Sequence, residues 1–186
     1  MMKINLLDLQ RQSKIIKESL ISKISMTIDN CDFISGDAVK ELEATLQNFT
    51  NSENVITCGN GTDALQISLM GILSQPNSYV ICPSFTFVST AEVIPLTNAV
   101  PYFVDVEQDS FNIDISQIKE AAENISKIGG KLAAIISVDL YGRPCEYNEI
   151  KKIAKKYDCI HISDCAQSFG AKYKNSSVLS LADIST

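Results

Sequence analysis

The chain has 186 residues, 45% of them hydrophobic and 20% charged, with a formal net charge of -6. That length and apolar content are enough for a sizeable core, while acids spread along the whole chain and the lack of a Lys/Arg run argue against a nucleic-acid partner. No stretch approaches the roughly 18 uninterrupted apolar residues of a membrane-spanning helix, so the expected location is the cytoplasm.

In chain order, Ile16, Leu20, Ile24 and Ile28 recur every four residues, and Val39, Leu42, Leu46 and Phe49 make a second apolar stripe. Two helices are predicted, with a break at residues 33–37. From about residue 55, short β-branched runs alternate with amphipathic segments, the pattern of β-α-β units and a largely parallel sheet, so the fold class is α/β. Strands are expected at residues 54–57, 79–82, 101–106, 132–138 and 159–163. The helix after Gly61 carries Leu65, Leu69, Ile72 and Leu73 on its apolar face. Asp114 with Gln117 resembles a capping box for a helix running to about Ile128 and ended by Gly129-Gly130. A last helix, residues 146–157, puts Ile150, Ile153 and Ala154 on one face and lysines on the other. The six cysteines, Cys31, Cys58, Cys82, Cys145, Cys159 and Cys165, lack C-x-x-C spacing and read as free thiols; no metal site is expected.

Three stretches carry possible chemistry. In Val55–Leu65 a strand passes through Gly59-Asn60-Gly61 into a helix. The N–H groups of that helix start, its dipole and the Thr62 hydroxyl suit one phosphate group, although a tight turn capped by Thr62 needs no ligand. The loop is neither G-x-G-x-x-G nor a Walker A sequence, which removes support for dinucleotide and NTP binding. In Ile160–Ala171, Asp164 stands at the C-terminal end of a strand, where open α/β sheets bind ligands. A carboxylate there needs a partner: a protonated ring nitrogen would serve, and so would the N–H groups of the following turn. His161 reads as a satisfied, half-buried residue rather than a catalytic base. In Cys82–Thr90, Phe85 or Phe87 could stack on a planar ring or simply join the core.

Together GNGTDALQI, PSFTFVSTAE, PYFVDV, FNID, LYG and SDCAQSFGAKYK, in this order and spacing, resemble the DegT/StrS-type sugar aminotransferases, which are pyridoxal-phosphate enzymes of the aspartate-aminotransferase type. The resemblance runs from about Phe33 to the end. It implies that Asn60, Gly61 and Thr62 hold the cofactor phosphate, that Phe87 stacks on the pyridine ring, that Asp164 partners the ring nitrogen and that Gln167 lies beside the phenolic oxygen. It further implies a nucleotide-linked keto-sugar substrate, glutamate as amino donor, amino sugars that feed surface polysaccharides, and a homodimer. The runs C-x-N-G-T-D-A-L-Q-I and C-A-Q-S-F-G-A are most similar to enzymes that aminate C3 of a UDP-linked 3-oxo-N-acetylglucosaminuronic acid. Cys165 in place of the usual alanine, Asp139 where histidine is frequent, and a Ser74–Ser78 turn without glycines are departures.

By that resemblance, residues 1–50 form an N-terminal helical segment and 51–186 an incomplete cofactor-binding large domain. The Schiff-base lysine and the small C-terminal domain fall beyond Thr186, so no catalytic residue is expected within the chain and the chain alone is expected to be inactive. Two other readings stay open: a sugar 3-dehydratase of the same family, with histidine in place of that lysine, and a truncated, non-catalytic product. A nicotinamide-dependent oxidoreductase lacks the glycine fingerprint.

Overall fold

The computed structural model describes residues 7–72 and 77–186, so Leu73 and the first part of the Ser74–Ser78 turn lie outside the described residues. The chain divides into two compact units, up to Ala44 and from Thr45 to Thr186.

In the first unit, helix α1 (Leu9–Asp29) begins at Asp8, whose carboxylate accepts the Arg11 N–H at 3.2 Å, and none of its residues is buried. Its stripe of Ile16, Leu20, Ile24 and Ile28 is exposed. Helix α2 (Asp37–Thr50) starts where Asp32 accepts the Asp37 N–H at 3.1 Å, and it runs on into the second unit. Both helices and the break between them follow from the two stripes.

The second unit contains helix α3 (Gly61–Ile72), strand β1 (Ser78–Pro83), a short helix α4 (Ser89–Glu92), β2 (Val100–Val104), α5 (Ile115–Lys127), β3 (Lys131–Val138), α6 (Tyr147–Tyr157) and β4 (Ile160–Asp164). A hairpin of β5 (Lys172–Tyr173) and β6 (Ser176–Ser177) follows, then β7 (Ile184–Ser185). Five strands make one parallel sheet in the order β2-β1-β3-β4-β7.

Side chains alternate across a strand, so each face of the sheet has its own core. On one face Leu65 and Leu69 of α3 meet Val80, Cys82, Ala134, Ile136 and Ile162. On the other, Ile118, Ala122 and Ile125 of α5 and Tyr147, Ile150 and Ile153 of α6 cover Ile81 and Ile135. Each fully buried aliphatic side chain contributes about 1.5–3 kcal/mol by leaving water, which makes these two clusters the main favourable term for the unit.

Several expectations are corrected. Residues 54–57 form no strand: Ile56 is 85% exposed, and the segment belongs to neither sheet. β-branched residues favour an extended chain, but a strand exists only as a pairing. The run expected at 101–106 ends at Val104, and Val106 bridges antiparallel to Ile113. Asp114 does cap α5, accepting from the N–H groups of Ser116 (2.7 Å) and Gln117 (3.3 Å). Gln117 does not close the box, because its carbonyl accepts the Asp105 N–H at 2.9 Å and so ties α5 to the end of β2. The β5–β6 hairpin and β7 were not anticipated; the hairpin turns on Lys174 and Asn175, both with positive φ (48° and 71°), the backbone of a type I′ turn.

Candidate functional site

Parallel strands end together, and the residues just beyond β1, β3 and β4 gather at one edge. Val138 pairs with Asp164 across β3 and β4. Ile162 faces α3, so by alternation Asp164 also faces α3, while Ser163 and Cys165 face α6. Helix α3 packs against β4 as well, which puts the Gly61 turn and Asp164 on the same face.

Asp164 is 9% exposed. One carboxyl oxygen accepts the Ala166 N–H at 3.1 Å, which is the turn-capping reading, and no lysine or arginine pairs with it among the described residues. Burial pushes its carboxyl above the ordinary range, the Ala166 N–H opposes this, and the nearby Asp139 adds to the rise. A buried carboxyl in this state favours a cationic partner.

At the start of α3 the cap is Asn60, not Thr62. Asn60 Oδ1 accepts the Asp63 N–H at 2.9 Å, and its amide donates to the Asp63 carboxylate at 3.0 Å. A Cβ at Gly59 would lie 2.6 Å from that carboxylate, so a larger residue there would have to displace the Asp63 side chain from the cap. Gly61 differs: a Cβ would meet nothing within 4 Å. The N–H groups of Gly61 and Thr62 have no acceptor among the described residues and lie at the positive end of the helix dipole. The turn is therefore self-capped and still presents open donors, an arrangement suited to a phosphate. The Asn60 side chain is occupied by the cap, so only its neighbours' N–H groups and the Thr62 hydroxyl remain for a ligand.

Phe85 and Phe87 do not join the core; they are 48% and 68% exposed. Phe85 leans on Phe111 (centroids 5.9 Å), which meets Tyr141 edge-on at 5.9 Å, an aromatic row along this edge that sequence reasoning missed. Phe111 and Tyr141 both hold positive φ, a backbone state with no signature in their residue types. Gln167 is more than a polar turn residue: its side-chain carbonyl accepts the Tyr141 N–H. The Gln167 backbone also comes close: Gly142 has φ of 81°, and a Cβ there would lie 3.0 Å from the Gln167 backbone carbonyl oxygen. Thr186, bonded to β4 through Ser163 O (2.9 Å) and the Cys165 N–H (2.8 Å), has a buried hydroxyl without a partner among the described residues.

Behind the edge, facing α6, a cluster of polar groups around Asp139 is mutually bonded. Asp139 is fully buried and accepts from the Cys145 N–H, the Tyr147 hydroxyl and the Ser168 hydroxyl, each at 2.8 Å. Burial pushes the Tyr147 hydroxyl and the Cys145 and Cys165 thiols up, so all three stay protonated. His161 is fully rather than half buried, and only half satisfied: Nε2 pairs with Ser137 Oγ at 2.8 Å, while Nδ1 has no partner among the described residues. Burial lowers it to about 4. All six cysteines are free, with Cys31 and Cys58 exposed. Among the described residues no cluster of metal-ligating side chains occurs, and no helix is long and apolar enough to cross a membrane.

The chain is 39% identical over 181 residues to the UDP-2-acetamido-2-deoxy-3-oxo-D-glucuronate aminotransferase of Pseudomonas aeruginosa, covering 97% of the chain and 49% of that protein. It superimposes on a DegT DnrJ EryC1 StrS aminotransferase from Brucella abortus with a TM-score of 0.94 at 38% identity, over 98% of the chain and 49% of the other. On NtdA of Bacillus subtilis, solved with bound cofactor PMP, the TM-score is 0.87 at 27% identity, over the whole chain and 40% of the other. The chain thus spans about half the length of the relatives it matches. The profile of the DegT/DnrJ/EryC1/StrS aminotransferase family matches residues 14–186, and the chain belongs to that family.

Proposed function

We propose that this chain supplies the cofactor-binding half-site of a pyridoxal-phosphate-dependent aminotransferase that converts a keto group on a nucleotide-linked sugar to an amine. The observation that carries the reading is Asp164, a buried carboxyl without a cationic partner among the described residues, on the same face as the open N–H groups of Gly61 and Thr62. When bound, pyridoxal phosphate supplies an electron sink for the carbon that gains or loses nitrogen. Asp164 holds a proton on the ring nitrogen, and the low dielectric that destabilises its charge when alone strengthens its pairing with a cation. Gly61 and Thr62 receive the phosphate, with the Asn60 side chain fixing their turn. Phe87, exposed beside the edge, stacks on the ring, and Gln167, tethered to the Tyr141 N–H, lies beside the phenolic oxygen.

The likeness to the Pseudomonas protein supports a UDP-linked 3-oxo sugar acid as substrate. Glutamate as donor, amino sugars destined for surface polysaccharide, a cytoplasmic location and a homodimer complete the reading. Residues 1–50 serve it as a helical segment ahead of the cofactor-binding part, 51–186. Titration with pyridoxamine 5'-phosphate, whose binding needs no Schiff-base lysine, tests the reading. Binding weakened about tenfold or more in Asp164→Asn is expected, the loss of one charge-assisted hydrogen bond. Unchanged affinity would overturn it.

A further inference from the structure

Asp164 faces α3, yet the backbone that carries it is held from the opposite face. Asp139, next after the β3 residue that pairs with Asp164, donates its N–H to the Asp164 carbonyl at 3.1 Å. Its carboxyl turns toward α6 and accepts from three segments at once. These are the Cys145 N–H in the loop after β3, the Tyr147 hydroxyl at the start of α6 and the Ser168 hydroxyl in the loop after β4. Tyr147 in turn meets Ser163 Oγ at 2.6 Å, which flanks Asp164. Ser168 adjoins Gln167, whose carbonyl takes the Tyr141 N–H from the same β3 loop. One buried side chain thus gathers the loops that bear Asp164, Gln167 and Tyr141.

We propose that Asp139 is a positioning residue for the ring end of the cofactor site: by collecting these three donors it fixes where Asp164 and Gln167 stand, without touching the ligand. A group with two acceptor oxygens and no donor suits three converging donors, whereas asparagine offers one oxygen and an N–H₂ that two hydroxyls must turn to receive. Small displacements at a supporting side chain carry over to the group it orients.

The inference rests on the cofactor reading above, and the test separates the two. Pyridoxamine 5'-phosphate labelled with ¹⁵N in the ring is titrated into the protein and into Asp139→Asn. Failure of the unsubstituted protein to bind defeats the cofactor reading. If it binds, Asp139→Asn is expected to weaken affinity about tenfold and to shift the ring ¹⁵N resonance, a signal that a loss of stability alone would leave in place. An unmoved resonance and unchanged affinity would overturn the inference. Should Asp139→Asn fail to fold, Ser168→Ala and Tyr147→Phe, each removing one donor, are expected to shift the resonance in the same direction by a smaller amount. No shift in either would equally overturn it.

Discussion

The two faces of the sheet's C-terminal edge are finished in opposite ways. Toward α6, Asp139, Tyr147, Ser163 and Ser168 bond to one another and are sealed from water. Toward α3, Asp164 lacks a cationic partner among the described residues, Gly61 and Thr62 keep open donors, and Phe87 stands exposed. Buried polar groups are ordinarily paired, so a fold that pairs the Asp139 cluster on one side, yet leaves a buried carboxyl without a cation and open N–H groups on the other, marks the second side as the place for a ligand. The apolar core under α6 should therefore answer to stability measurements and the α3 face to binding measurements, with the Asp139 network linking the two.

The largest effect expected is on the α6 face. Ile150→Ala, in the middle of α6 and fully buried, should cost about 4 kcal/mol in denaturant unfolding. A cost near zero would mean that this face is not the core. Next comes acid lability through His161, whose proton affinity is lowered chiefly by burial and further by Lys151, with Asp183 opposing both. Its folded value, about 4, lies below the ordinary 6.5, so the unfolded chain takes the proton first. Its contribution is intact above pH 6.5 and declines as pH falls toward 4, by about 3 kcal/mol in all. His161→Gln should flatten that limb of a stability-pH profile; superimposable limbs would argue that the ring is not buried neutral. Smallest in stability is Phe87→Ala. At 68% exposure it should change unfolding by less than about 0.5 kcal/mol, yet weaken pyridoxamine 5'-phosphate binding about fivefold. A large loss of stability instead would return Phe87 to the core.

What the sequence disclosed follows the same division. Helices α1 and α2, strands β1, β3 and β4 and the cap at Asp114 are local patterns of period or spacing, legible without the fold. Residues 54–57 carry strand-forming types and failed because pairing is a property of neighbours. Asn60 and Thr62 are equivalent capping types two residues apart, and only the backbone path decides between them. Asp164 could be singled out because a carboxyl at a strand end is unusual in itself. Asp139 could not be given its role, because its partners lie up to 29 residues away and meet it only once β3, α6 and β4 are assembled. The row of Phe85, Phe111 and Tyr141 was hidden for the same reason.

The most direct test of the account is a crystal structure of the protein with pyridoxamine 5'-phosphate. Expected are the ring nitrogen against the Asp164 carboxyl, the phosphate on the N–H groups of Gly61 and Thr62, and the α6-side network unchanged. A ligand bound away from Asp164, or with its phosphate elsewhere than the start of α3, would contradict it.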